Sequence, residues 1–284
     1  MSLGARARGF AELTRPGNAV AAGVLTFTGA FVAGASPSDA LVVVAAVLAT
    51  VFATGAGNAV NDYFDRDIDR INRPDRPIPR GAVSAAEAKW FSVALFGGAV
   101  VSALVLPVVA IAIAVVNLVA LLAYTELFKG LPGVGNVVVA ALTGSTFLFG
   151  GAAIGEPLGA AVLCVLAALA TLTREIVKDV EDIGGDRAEG LRTLPIVVGE
   201  AVSLWLGAAV LVVAVGASAV PFVWGEFGLA YLGVVVPADA LMLVAAARSF
   251  SDPAAAQRRL KHGMFLAAFA FILGRAAAPA GGIL

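Results

Sequence analysis

The stretch "NAVNDYFDRDIDRINRPDRPIPRG", residues 58–81, places five aspartates and five arginines in a chain that is 60% apolar. This charge follows directly after a long apolar run. Only 14% of all residues are charged and the mean hydropathy is +0.94, which lies far outside the range of ordinary soluble domains. The composition therefore predicts an all-α integral membrane protein, and the charged stretch needs a functional explanation.

Apolar runs of about 20 residues are long enough to cross the ~30 Å hydrocarbon layer as helices. The apolar run at residues 88–125 is too long for a single crossing. A break within it is offered by Gly97, Gly98 and Pro107. The basic segment before the first run lacks the cleavage pattern of a signal peptide, so that helix is expected to be retained. We predict nine transmembrane helices, at 18–35, 40–60, 88–106, 107–125, 134–153, 158–175, 202–221, 228–247 and 262–280.

Lysines and arginines fall in alternate connections between these predicted helices. With the N-terminus in the cytoplasm, eighteen of the 19 lie on the cytoplasmic side and only Arg275 lies near the other. Because positive charge marks cytoplasmic loops, we predict a cytoplasmic N-terminus and an outside C-terminus. Residues 1–284 are predicted to form one transmembrane domain with cytoplasmic motif loops at about 61–87 and 175–200. The net charge of −1 suggests no nucleic-acid partner, and no protein partner is evident.

Helical geometry gathers the polar side chains of the opening stretch onto one face. If the second predicted helix continues through the stretch at 100° per residue, Asp67 points away. The side chains that share an arc of about 100° all carry oxygen, namely Asn58, Asn61, Asp62, Asp65 and Asp69. Like charges at this spacing repel one another, and a bound cation would remove the repulsion.

A second acidic segment, "REIVKDVEDIGGDRAEGLRTLP", covers residues 174–195. Asp182 and Asp186 are four residues apart, although Gly184 and Gly185 are expected to weaken the helix there. Both segments offer hard oxygen ligands without thiolate or nearby histidine, which favours Mg²⁺ over zinc and implies a diphosphate ligand. The predicted metal ligands are Asn61, Asp62, Asp65, Asp69, Asp179, Asp182 and Asp186.

Basic side chains near the two segments could bind the phosphate oxygens that the metal does not reach. The candidates are Arg73, Arg76, Arg80, Lys129 and Lys178. Membrane topology explains cytoplasmic basic residues as well. Three prolines, Pro74, Pro77 and Pro79, predict an irregular segment that could cover the site.

The two acidic segments resemble the two signature regions of the UbiA superfamily of intramembrane prenyltransferases. The first is Asn61-Asp62-x-x-Asp65-x-x-x-Asp69 with "RINRPDRPIPRG", and the second is Asp182-x-x-x-Asp186 with "GLRTLP". The "RPGN" of residues 15–18 and the stretch 124–129 also look like family features. The form "REIVKDVEDIGGD" most resembles the archaeal branch whose members prenylate a glycerol ether phosphate to make core membrane lipid.

The resemblance implies a helical bundle around a central cavity in which the acidic clusters and Mg²⁺ hold a prenyl diphosphate. The implied reaction transfers a geranylgeranyl group from geranylgeranyl diphosphate to the hydroxyl of geranylgeranylglyceryl phosphate and releases diphosphate. Asn18 would contact the diphosphate, and the ring of Tyr124 could stabilise the allylic cation. The implied catalytic carboxylates are Asp65, Asp69, Asp182 and Asp186.

Two alternatives remain at the level of sequence. An enzyme with an aromatic, quinone-type acceptor would share the first motif, and its acceptor site could differ from a glyceryl-phosphate site by few residues. A cation transporter is the alternative from another class, but both acidic segments follow helix ends on one face and carry many arginines. The predicted membrane carboxylate Asp239 has an open role, Cys164 is expected in the core, and His262 is expected at the interface.

Overall fold

The computed structural model describes residues 3–124 and 131–278, and within them the regular secondary structure is helical. Two short 3-10 helices, Pro37–Asp39 and Pro157–Ala160, precede α3 and α8. The α-helices of the described residues are α1 Leu3–Leu13, α2 Pro16–Ala33, α3 Ala40–Phe64, α4 Arg66–Asn72, α5 Ala85–Ala103, α6 Val108–Ala123, α7 Val134–Ala153, α8 Ala161–Ala188, α9 Leu194–Val198, α10 Glu200–Ala217, α11 Val220–Val223, α12 Leu229–Arg248 and α13 Pro253–Ala277.

Seven apolar segments in the described part of the chain are long enough to cross a membrane. They contain α2, α3, α7, α8, α10, α12 and α13, and α6 contributes a shorter apolar helix, Val108–Leu121. This confirms the prediction of a multi-pass, all-helical membrane protein. Each of the nine predicted spans overlaps one helix, and seven of these helices lie in the segments long and apolar enough to cross a membrane. The nine helices, in order, are α2, α3, α5, α6, α7, α8, α10, α12 and α13.

The long apolar run between residues 88 and 125 breaks at its proline. Helix α5 ends at Ala103, and Pro107 stands immediately before α6 with an extended ψ of 150°. Gly97 and Gly98 lie inside α5 and do not interrupt it. Proline removes a backbone donor and clashes with the preceding turn, whereas glycine only weakens a helix.

Helices α2 and α7 are held in close contact by a glycine on each. A Cβ atom built on Gly29 would overlap the backbone of Phe147, and one built on Gly150 would overlap the backbone of Thr26. Small residues allow membrane helices to approach this closely. Helix α7 also packs on α8, and α8 packs on α10 and α13. These contacts place α2, α7, α8 and α13 around one interior space.

The helix α1 and the proline-containing segment after α4 are both anchored on the ends of α3 and α5. Leu13 of α1 and Val83 are buried in one cluster with Ile78, Ala59 and Ala88. Arg6 also forms an ion pair with Glu87, which caps the start of α5 together with Ser84. The proline-containing segment is therefore packed against the helix that carries the first acidic motif.

Both predicted motif loops contain more helix than expected. The segment 61–87 includes the end of α3, all of α4 and the start of α5, and the segment 175–200 includes the last turns of α8 and all of α9. Helix α8 continues through Gly184 and Gly185 to Ala188. It ends where Gly190 takes a positive φ of 73° and the Leu191 amide donates to the Asp186 carbonyl. This is a Schellman ending, so the strongest stop signal is Gly190.

Candidate active site

The first acidic motif lies on two helices that meet at Asp65. Helix α3 ends at Phe64 and α4 begins at Arg66, with Asp65 at ψ 0° between them. The backbone hydrogen bonds continue across this junction, because the Asp65 amide donates to Asn61 and the Asp69 amide donates to Asp65. The expected helical face is therefore largely preserved.

Two carboxylates of this face are buried around one arginine. Asp62 and Asp69 are only 4% and 6% exposed. Arg76 Nη1 donates to Asp62 Oδ1 at 3.0 Å and to Asp69 Oδ2 at 2.6 Å. Arg15, just before α2, donates from Nη2 to the same Asp62 oxygen at 2.8 Å. The repulsion expected between these aspartates is thus offset by two guanidinium groups of the protein itself.

The remaining polar side chains of the first motif separate into two groups. Asn61 and Asp65 are exposed, so their oxygens are available to a ligand. Asn58 is occupied, because its amide donates to the Thr14 carbonyl at 2.9 Å. Asp67, predicted to point away, forms ion pairs with arginines on the exposed side of α4.

The second acidic motif occupies the last four turns of α8. Asp179 is half-buried and accepts a hydrogen bond from Asn136 of α7 at 2.9 Å. Asp182 is exposed, and its Oδ2 lies 3.8 Å from Nζ of Lys178, one turn earlier. Asp186 is half-buried near the end of the helix. Exposed carboxylates on α8 therefore offer the same kind of oxygen ligand as Asn61 and Asp65 of the first motif.

The other predicted phosphate ligands differ in their surroundings. Arg80 is directed to α1, where its Nη2 lies 2.5 Å from Glu12 Oε2. The hydrogen bonds that Glu12 accepts from Arg80 and Arg8 lower the pKa of its carboxyl. Arg73 is exposed at the end of α4. Tyr124 is half-buried at the end of α6, and Lys129 lies outside the described residues.

A cavity of about 360 Å³ opens between α2, α7, α8, α10, α12 and α13. Its interior is apolar and includes Phe147, Leu163 and Phe271. Polar side chains line another part of its wall, including Asn18, Arg174, Glu175 and Lys261. Residues 58–81 are not among its lining residues. Such a space can accommodate part of a long apolar chain while charged groups remain near its polar residues.

Asp239 lines the same cavity. Its Oδ2 atom lies 2.6 Å from the hydroxyl of Ser218, and the Tyr231 hydroxyl donates to the Ser218 carbonyl at 2.7 Å. Pro237, beside it, lies inside the continuous helix α12. The unusual membrane carboxylate is thus part of a buried hydrogen-bond network that joins α10 to α12.

The oxygen-rich side chains suit Mg²⁺, although no three acidic, cysteine or histidine residues of the described chain form a ready-made metal cage. Mg²⁺ commonly binds one or two protein carboxylates and completes its shell with water and substrate phosphates. The exposed Asp65 and Asp182 satisfy this requirement. The donor set therefore fits a metal that arrives with a diphosphate.

Some residues of the site could not be found from motif spacing. Arg15 was identified only within the "RPGN" resemblance, yet it pairs with Asp62. Asn136 of α7 contacts Asp179, and Gln257 of α13 contacts Arg174. Asn136 is a single polar residue near the start of an apolar helix, which was the one available signal, whereas Gln257 lies beside the basic residues at the start of α13 and does not stand out.

These features place the protein among the intramembrane prenyltransferases. The chain belongs to the UbiA prenyltransferase family, whose sequence model matches residues 22–269, and this confirms the predicted family. It is similar to a digeranylgeranylglyceryl phosphate synthase of Natronomonas pharaonis, with 65% identity over 97% of this chain and 99% of the relative.

Solved structures agree with this membership. A structure described for a digeranylgeranylglyceryl phosphate synthase superposes with a TM-score of 0.83 and 34% identity, over 95% of this chain and 98% of that one. A UbiA homologue from Archaeoglobus fulgidus, solved with DMAPP and Mg²⁺, has a TM-score of 0.65 and 19% identity over 93% and 98% of the chains. The second likeness supports the fold.

Proposed function

We propose that this protein transfers a geranylgeranyl group from geranylgeranyl diphosphate to the glyceryl hydroxyl of geranylgeranylglyceryl phosphate. The products are an archaeal ether lipid and free diphosphate. The observation that carries this proposal is the cavity, because an apolar interior and charged wall residues occur together in one space. The 65% identity to the Natronomonas pharaonis synthase supports the choice of acceptor.

The exposed oxygens of the two motifs would hold the diphosphate together with Mg²⁺. Asn61 and Asp65 would act from the first motif, and Asp182 and Asp186 from α8. The metal, when bound, would stabilise negative charge on the departing diphosphate. Arg73, Lys178, Lys129 and Asn18 are the basic and amide side chains proposed to contact the same group.

The buried cluster of Asp62, Asp69, Arg76 and Arg15 would hold the first motif in place. Arg76 draws the proline-containing segment onto α3 and α4 through both carboxylates. Asp62 and Asp69 are proposed to support the geometry of the exposed ligands, in addition to their predicted metal role. Asp179 would be positioned by Asn136.

The apolar walls would protect the allylic carbon as it becomes cationic. Phe147, Leu163 and Phe271 line the cavity interior, and an interior without water would prevent hydrolysis of the cation. The aromatic ring of Tyr124 is proposed to stabilise the positive charge. The bond to diphosphate breaks as the cation forms, and the glyceryl oxygen then forms the new C–O bond. The hydroxyl proton passes to the acceptor phosphate or to a motif carboxylate.

We further propose that nine helices cross the membrane, with the N-terminus in the cytoplasm and the C-terminus outside. Eighteen of the 19 lysines and arginines support this orientation, because positive charge marks cytoplasmic loops. It places both acidic motifs and the catalytic site at the cytoplasmic surface. Residues 1–284 would then form one transmembrane domain.

A prenyl-transfer assay tests the proposal directly. Purified protein in detergent would receive radiolabelled geranylgeranyl diphosphate, Mg²⁺ and one acceptor, either geranylgeranylglyceryl phosphate, 4-hydroxybenzoate or dihydroxynaphthoate. We expect ether lipid from the native protein and none from Asp65→Ala or Asp182→Ala. A prenylated aromatic product would assign an aromatic acceptor. Folded protein that binds no prenyl diphosphate would exclude the enzyme and favour cation transport.

A further inference from the structure

At the polar end of the cavity, two neighbouring helices, α8 and α13, each contribute a basic side chain to the wall. On α13, Lys261, Met264, Ala268 and Phe271 line the cavity at intervals of three or four residues, which is the spacing of one helix face. On α8 the lining residues run from Leu163 to Arg174 and Glu175. We call Arg174 and Lys261 the cationic rim.

Arg174 is fixed in place by contacts on both sides. Its Nη1 donates to Glu175 Oε1 at 2.6 Å, and its Nη2 lies 3.2 Å from Gln257 Oε1 on α13. The Nε atom is buried, and it has no hydrogen-bond partner among the described residues. A buried donor without a partner is costly. The Arg174 side chain as a whole is 23% exposed and lines the cavity, so its guanidinium can reach a ligand there. Glu175 offsets the charge of Arg174.

Lys261 contributes the charge that is not offset. It is exposed at the cavity wall, and its Nζ lies 5.9 Å from the centre of the Phe265 ring. Within the described ranges, the ion pairs do not include Lys261. It lies one helical turn from Gln257, which binds Arg174, so the two basic groups lie at the same end of the cavity. The rim therefore has one net positive charge and several free N–H donors.

The cationic rim is separate from the exposed carboxylates of the motifs. Arg174 precedes Asp182 by eight residues of continuous α8, which corresponds to about 12 Å along the axis. Lys261 belongs to α13, which packs on α8, α12 and α2, whereas the first motif belongs to α3 and α4. A phosphate at the rim would thus occupy a different position from a diphosphate held by Asp65 and Asp182.

We propose that Lys261 and the guanidinium of Arg174 bind the phosphate monoester of the glyceryl acceptor and so select a phosphorylated acceptor over its uncharged counterpart. This inference rests on the proposed function. Ammonium and guanidinium donors form strong, charge-assisted hydrogen bonds to phosphate oxygens. The apolar residues beyond the rim would accommodate lipid chain. Gln257 acts as a positioning residue, because it holds Arg174.

The test compares Lys261→Met, Lys261→Arg and the native protein in steady-state kinetics. One acceptor is geranylgeranylglyceryl phosphate, and the other is geranylgeranylglycerol, measured as a substrate or as a competitive inhibitor. We expect Lys261→Met to raise KM for the phosphorylated acceptor about tenfold to a hundredfold, the usual effect of losing a charged hydrogen bond. KM for the donor and the affinity for geranylgeranylglycerol should not change.

Lys261→Arg should restore most of the affinity for the phosphorylated acceptor, because it keeps a charged donor. Arg258→Met is the matched control, since Arg258 is an exposed residue of the same helix outside the cavity wall. If Lys261→Met weakened the binding of both acceptors equally, the inference would be overturned. A raised KM for the donor would overturn it as well. Native protein that makes no ether from either acceptor would instead overturn the proposed function.

Discussion

The Nη1 atom of Arg76 lies 2.6 Å from Oδ2 of Asp69, and both side chains are largely buried. Their contact joins the segment after α4 to the helix that carries the first motif. The same Nη1 atom also reaches Asp62. One guanidinium therefore determines the position of two acidic residues that sequence spacing alone assigned to a metal.

Replacement of Arg76 by alanine should destabilise the protein by about 3–5 kcal/mol, because it leaves two buried carboxylates without their shared partner. Thermal unfolding in detergent would measure the change. Arg70→Ala is the control, because Arg70 and its partner Asp67 are both well exposed and exposed pairs contribute about 0–1 kcal/mol. Equal melting temperatures for the two variants would contradict the structural role of Arg76.

Replacement of Asp65 by asparagine should reduce prenyl transfer by about a hundredfold or more without loss of stability. Asp65 is exposed at the junction of α3 and α4, and loss of one preorganised charge-stabilising group typically costs 10²–10³ in rate. The measurement is the initial rate of diphosphate release at saturating Mg²⁺. The neighbouring Asp67→Asn should retain activity, since Asp67 lies on the opposite, exposed side of α4 and pairs with Arg70.

Two glycines near the end of α8 should respond to alanine in opposite directions. Gly184 is helical and has open space around it, so Gly184→Ala should stabilise the protein by about 0.5–1 kcal/mol. Gly190 has a φ of 73°, and Gly190→Ala should cost about 1–2 kcal/mol because a side chain disfavours that conformation. Thermal unfolding of the two variants checks this, and stabilisation by Gly190→Ala would contradict the assigned helix ending.

Much of the architecture was predictable because bilayer thickness determines the length of an apolar helix. The predicted spans match helices from α2 to α13 in order, and Pro107 marks the break between α5 and α6. The extent of α8 was harder to predict. Gly184 and Gly185 weaken a helix, but the left-handed Gly190 and its hydrogen bonds determine where this one ends.

Helical projection placed Asp62, Asp65 and Asp69 on one face, but it could not separate the buried aspartates from the exposed one. Burial depends on which neighbour covers each side chain, and that neighbour is Arg76, from a segment without regular structure. Arg80 illustrates the same limit, since its partner Glu12 belongs to α1. Contacts between distant parts of the chain leave no periodic trace in one sequence.

The glycine contacts between α2 and α7 also restrict the routes by which a lipid can reach the cavity. At Gly29 and Gly150 the two backbones touch, so no isoprenoid chain can slide between the helices at that crossing. The bilayer side of this helix pair is sealed at that depth. A lipid chain that enters the cavity at the depth of this crossing must therefore pass between other helices.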